Sequence, residues 1–203
     1  MNPNEANKRL FAAIAASDTE IAREALDAGA DPNAVDEYGR IALMLVVAKC
    51  DTETAALLLD RGADVNARDY EGETALMRGA ENSAATVAML LDRGADVDAL
   101  NNGGRAALMF AVEYGRTDTV ALLLDHDADV NAEDKNGRTA LMLAAKYDNP
   151  DTAAQLRAAQ EASELAAALP SAHDDPMNRP ARRPSGAREP EALAPARANR
   201  PRL

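Results

Sequence analysis

Apolar residues along this chain come in short clusters separated by polar turns, and the clusters repeat. Gly39-Arg40-Ile41-Ala42-Leu43-Met44 is followed by Gly72-Glu73-Thr74-Ala75-Leu76-Met77, by Gly104-Arg105-Ala106-Ala107-Leu108-Met109 and by Gly137-Arg138-Thr139-Ala140-Leu141-Met142. A second pattern, Gly29-Ala30-Asp31-Pro32-Asn33, returns at Gly62, Gly94 and Asp127 with spacings of 33, 32 and 33 residues. Two patterns locked to one period mark a tandem array, not a biased composition. Each period reads as turn, helix, short turn, helix. In one of them, Ala106 to Glu113 is a short helix that Gly115 breaks. Thr117 or Asp118 then caps a second helix, whose core residues are Val120, Leu122, Leu123 and Leu124.

The pattern predicts an all-α solenoid of stacked helix-turn-helix units with protruding turns, over residues 1–169. The units run from about 2 to 35, 36 to 68, 69 to 100, 101 to 133 and 134 to 169. Gly62 and Gly94 sit where a helix ends in a left-handed turn, which glycine enters without steric cost. Asp127 replaces glycine there, at an expected cost of about 1 kcal/mol. The unit with 32 residues is short by one in the exposed turn at Glu81-Asn82-Ser83, where a deletion leaves both helices in register. The first unit has both helices but no glycine turn. Leu10, Ile14, Ile21, Ala25 and Leu26 supply its apolar face, while Lys8, Arg9, Glu20, Arg23 and Glu24 face water, as in a capping repeat. In the last unit Pro150 opens a longer helix. Gln155, Arg157, Gln160 and Glu161 interrupt the leucine run that would seat a further unit, and Leu165 and Leu169 are expected to fold back on preceding helices.

These residues resemble the ankyrin-repeat family, over about Glu5 to Leu169, in period and in the Gly-Ala-Asp-Val-Asn-Ala turn. The helix-start motif departs from the family's T-P-L-H. Threonine survives at Thr74 and Thr139, alanine replaces proline at Ala42, Ala75, Ala107 and Ala140, and Met44, Met77, Met109 and Met142 replace histidine. Threonine–histidine hydrogen bonds are therefore expected to be absent, with flexible methionine packing in their stead. The resemblance implies a protein-binding module that uses a concave side made of turn tips and inner-helix ends. Transferred to this chain, the tips contribute Tyr38, Arg40, Tyr70, Glu71, Glu73, Asn102, Arg105, Lys135 and Arg138. The helix ends contribute Lys49, Glu81, Glu113, Tyr114, Lys146 and Tyr147. All four tyrosines fall in this set, and tyrosine offers broad, rigid contact area at low entropic cost.

Charge and chemistry narrow the function further. The net charge of −12 divides into about −15 for residues 1–169 and +3 for residues 170–203. So acidic a body disfavours nucleic acid and anionic membranes and makes a basic protein the better partner. A monomer is expected. Cys50 is the single cysteine, which suits a reducing, cytoplasmic setting. No apolar run approaches the roughly 20 residues of a membrane span, and residues 8–17 read as repeat helix, not as a secretion signal. The two histidines, His126 and His173, assemble no triad, and His126 is expected to meet the last carbonyls of a helix. Carboxylates belong to the repeating turns, Gly103-Gly104 is a turn and not a phosphate loop, and no cofactor or metal pattern appears. The chain is accordingly read as no enzyme. Recurring Asn33, Asn66 and Asn131 are assigned to turn hydrogen bonding in preference to modification.

Residues 170–203 hold seven prolines and seven arginines and almost no large apolar residue, the composition of a disordered tail. Arg182-Arg183-Pro184-Ser185 resembles a basic phosphorylation site. A second functional reading follows: a regulatory protein whose basic tail binds an acidic partner or folds onto the acidic repeats.

Overall fold

The computed structural model describes residues 2–168. Its helices are α1 (Pro3–Ala16), α2 (Thr19–Asp27), α3 (Ala42–Ala48), α4 (Thr52–Asp60), α5 (Ala75–Ala80), α6 (Ala84–Asp92), α7 (Ala107–Glu113), α8 (Thr117–Asp125), α9 (Ala140–Lys146) and α10 (Pro150–Ala168). Helices α1 to α8 pair as four units, and like helices of successive units pack on one another from α1 to α9 and from α2 to α8; α9 and α10 form the fifth unit of the series. Among the described residues the only β pairing is an isolated bridge between Val35 and Ile41. By contacts the chain divides into Met1–Ala166 and Ala167–Leu203. Only Ala167 and Ala168 of the second unit fall within the description, so the expectations for Leu169, the tail and Ser185 lie outside it.

One core recurs from unit to unit because one register recurs in sequence. Ala42, Ala75, Ala107 and Ala140 open α3, α5, α7 and α9 and are buried, where a side chain no larger than a methyl lets neighbouring units approach. Leu58, Leu90, Leu123 and Leu156 hold equivalent positions in the second helices and are fully buried. Thr54, Thr86, Thr119 and Thr152 are buried beside them. Burial of each such leucine contributes about 1.5–3 kcal/mol, and only a neighbouring unit supplies the cover. Met44, Met77 and Met109 fill the same interfaces at 6%, 0% and 1% exposure, whereas Met142 in the last unit is 57% exposed. No further unit covers it within the described stack.

Each of the first four units closes with a left-handed turn. The N–H of Ala30, Ala63, Ala95 and Ala128 returns to the carbonyl five residues back, and the residue before each is left-handed. Asp127 takes φ +61 where Gly29, Gly62 and Gly94 take +95, +90 and +83. The short turns between paired helices also pass through a left-handed residue, at Ser17, Cys50, Gly115 and Asp148. The 32-residue unit lacks this residue: Asn82 and Ser83 both donate to Gly79 O, and α6 starts one residue sooner.

Three sequence expectations need correction. The N-cap of α8 is Arg116, with no side-chain cap, and the Thr117 hydroxyl pairs instead with the Thr152 hydroxyl at 3.3 Å. Ile21 is 37% exposed because α2 turns Ala22 inward in its place. Leu165 is 65% exposed, so it does not pack back on earlier helices.

Candidate functional site

The protruding turns are fingers shaped by one acceptor each. Asp36, Asp69, Asn101 and Asp134 open the four fingers. In the first, Asp36 Oδ1 accepts the N–H of Tyr38 and of Arg40, both at 2.9 Å. Asp69 holds Glu71 and Glu73 in the same way, Asn101 holds Gly103 and Arg105, and Asp134 holds Asn136 and Arg138. The main chain closes each loop, from the N–H of the first residue to the carbonyl of the fifth. The fourth residue is Gly39, Gly72, Gly104 or Gly137, all at φ between +70 and +76. Sequence reasoning missed these four acceptors, although they recur at the repeat period three residues before each glycine.

Behind the fingers, asparagines tie successive units together. Asn33 Oδ1 accepts the Asp64 N–H at 2.7 Å while its Nδ2 donates to Gly62 O at 3.2 Å. Asn66 repeats both bonds with Asp96 and Gly94. Asp98 can only accept, and it takes the Asp129 N–H at 2.8 Å. Asn131 is reached by Gln160 at 3.0 Å. Turn bonding between units therefore accounts for Asn33 and Asn66, whereas the Asn131 side chain meets a helix residue of the next unit.

The expected site residues divide by availability. Tyr38, Tyr70 and Tyr114 are 69%, 84% and 52% exposed. Glu71, Asn102, Lys135 and Lys146 are exposed as well. The Tyr70 ring reaches across to the first finger and fills the space a Cβ on Gly39 would occupy. Arg40 and Arg138 are tied within their own fingers, to Asp36 and Asp134, and Arg40 also lies over the Tyr38 ring. Arg105 stacks over Phe110 at 4.2 Å and pairs with Glu113. Tyr147 is partly buried and donates its hydroxyl to Glu113 Oε1 at 2.7 Å. Lys49 Nζ caps the end of α1 through Ile14 O and Ala15 O, at 2.9 and 2.6 Å. Exposed His126 meets the last carbonyls of α8 through its main-chain N–H.

Electrostatics concentrate in two places. Arg78, which the sequence did not single out, faces four carboxylates. Its guanidinium lies 2.7 Å from Glu73, 3.5 Å from Glu81, 3.8 Å from Glu71 and 3.9 Å from Asp69. Glu73 is only 8% exposed. Oxygens of Asp69, Glu71 and Glu73 lie within 4.8 Å of one another, a spacing that suits a cation, and the Arg78 guanidinium already supplies one. Burial pushes the Glu81 carboxyl above its ordinary value, with Arg78 opposing the shift. Farther along the stack, the Arg138 hydrogen bond holds Asp134 down to about 2. Burial works against ionisation of Glu113, but the Tyr147 hydroxyl and Arg105 outweigh it and keep that carboxyl below its usual range.

Repeating fingers, left-handed unit ends and stacked helix pairs also match a known family in sequence. The family model described as ankyrin repeats (three copies) matches residues 10–101 and again 87–164. The chain belongs to the ankyrin-repeat family. No curated protein matches it in sequence. Ankyrin repeats are in general protein–protein interaction modules, typically without catalytic activity of their own. No described helix of this ankyrin-repeat chain is long and apolar enough to cross a membrane.

Proposed function

We propose that the chain binds a partner protein on its finger side, with Tyr38, Tyr70 and Tyr114 as contact anchors. The observation that carries this reading is the exposure of these three rings on a stack whose interior is Ala, Leu, Val and Met. Aromatic anchors on a rigid framework lose little entropy on binding. Glu71, Lys135 and Lys146 supply charge around them, and the carboxylates around Arg78 favour a partner that is basic where it meets the second finger. Nucleic acid and membranes are disfavoured by the acidic body. The chain works as a monomer in the cytoplasm, without cofactor or metal.

Affinity capture followed by titration calorimetry tests the reading. Tyr38→Ala and Tyr70→Ala should each weaken the captured partner by about 1–3 kcal/mol, with the melting curve little changed. Unaltered affinity in the double variant moves the site elsewhere. Removing residues 170–203 should leave affinity intact, and a loss there would transfer the function to the basic tail.

A further inference from the structure

Asparagine is followed by glycine at Asn102-Gly103 and at Asn136-Gly137. Both pairs stand in fingers, and the fold treats them differently. The Asn102 N–H donates to Glu71 O at 2.8 Å and its Nδ2 to Tyr70 O at 2.9 Å, so the second finger holds this residue at both ends. Its Oδ1 lies 2.7 Å from where a Cβ on Gly72 would stand. Gly103 is crowded as well, with Asn101 Oδ1 3.2 Å and Arg105 Cγ 3.9 Å from the place of an added Cβ. Asn136 has none of this. It is exposed, and its side chain makes no hydrogen bond among the described residues. Nothing lies within 4 Å of a Cβ built on Gly137. The difference follows from position. The second residue of a finger reaches back to the third residue of the finger before it, as Asn102 does to Glu71 and Lys135 to Gly103. Asn136 is the third residue of the last described finger, and no following finger reaches it.

We propose that Asn136 is a site of spontaneous deamidation, and that the second finger protects Asn102 from the same reaction. Asparagine is a thermolabile residue, and glycine has no side chain to shield the nitrogen that follows it. Gly137 N gives up its proton to solvent and attacks Asn136 Cγ. As the N–C bond forms, Cγ–Nδ2 breaks, and ammonia leaves with a proton taken back from solvent. Water then opens the cyclic imide at either carbonyl, giving aspartate or isoaspartate. The hydrogen bond that must yield is Gly137 N–H to Asp134 O at 2.8 Å. It closes an exposed loop at the end of the row of fingers, where local opening is easiest. For Asn102 the attacking N–H is also bonded, to Asn101 Oδ1 at 2.9 Å, and its two bonds to the second finger must break besides.

The product changes the fourth finger. Arg138 offsets Asp134, and Lys135 leaves the finger with a net positive charge. A carboxylate at position 136 cancels that charge. Isoaspartate also lengthens the main chain between the two N–H groups that Asp134 Oδ1 holds, those of Asn136 and Arg138. Conversion needs no partner and is read by mass, so it stands or falls apart from finger-side binding.

Ageing the full chain in mildly alkaline buffer tests this, with peptide mass mapping over time and chromatographic separation of aspartate from isoaspartate. In the folded chain the peptide that holds Asn136 should show the change from amide to acid. The peptide that holds Asn102 should lag about tenfold or more, because two further hydrogen bonds must break. In urea the two should convert at similar rates, since each then has only its own glycine beside it. Asn136 staying intact in the folded chain overturns the site. Asn102 converting as fast as Asn136 in the folded chain overturns the protection. A lag of the same size in urea also overturns it, since the difference would then come from flanking sequence and not from the fingers.

Discussion

Replacing Asp134 with asparagine isolates what one ion pair adds to a finger whose geometry is otherwise unchanged. Asp134 Oδ1 accepts the N–H of Asn136 at 2.8 Å and of Arg138 at 3.0 Å, and Oδ2 takes Arg138 Nε at 2.7 Å. An asparagine keeps the first two bonds, as Asn101 does in the third finger at 2.9 Å each. Only the charged partnership with Arg138 is lost. A carboxyl held at about 2 instead of 3.8 corresponds by linkage to about 2 kcal/mol; part of this comes from the two main-chain bonds that asparagine keeps, and solvent around the partly exposed guanidinium reduces the pair's share to about 1–2 kcal/mol. The folded value is depressed, so the stabilisation is fully present above the unfolded value of 3.8 and is lost as pH falls through about 2. Urea unfolding of wild type and Asp134→Asn across that range should show wild type ahead by about 1–2 kcal/mol near neutrality. The gap should begin to close below about pH 4. A gap that persists unchanged into acid would mean that asparagine had disturbed the turn itself, and no gap at neutral pH would mean that the pair adds nothing.

Asp127→Gly should raise stability by about 1 kcal/mol, because it relieves a left-handed aspartate; a thermal melt with no gain contradicts this. Asn66→Ala removes the acceptor of Asp96 N–H and the donor to Gly94 O and should cost about 1–3 kcal/mol in chemical denaturation. Asn66→Asp should cost less, since native Asp98 holds Asp129 N–H with a carboxylate alone; equal losses for the two variants would show that the acceptor bond is unimportant.

Most of the fold was legible because each unit is a copy of the next. The Gly-Ala-Asp and Ala-Leu-Met registers fix helices, turns and core together, and even the left-handed Asp127 and the shortened turn at Glu81-Asn82-Ser83 follow by alignment of one unit with its neighbours. Errors arose where units meet or end. Nothing in the sequence of α8 reveals that Thr117 faces Thr152 across a unit boundary, and a helical wheel for α2 does not show which side α1 and α4 cover. For the candidate site, sequence could not tell an exposed tyrosine from one bonded to a neighbour. Tyr114 and Tyr147 occupy the same register, yet only Tyr147 finds Glu113 in the preceding unit.

Backbone hydrogen exchange on the complex with the captured partner tests the central claim most directly. Protection is predicted at the fingers, residues 36–40, 69–73, 101–105 and 134–138, and at the ends of α3, α5, α7 and α9. A footprint confined to α2, α4, α6 and α8, with the fingers exchanging as they do in the free protein, would contradict it.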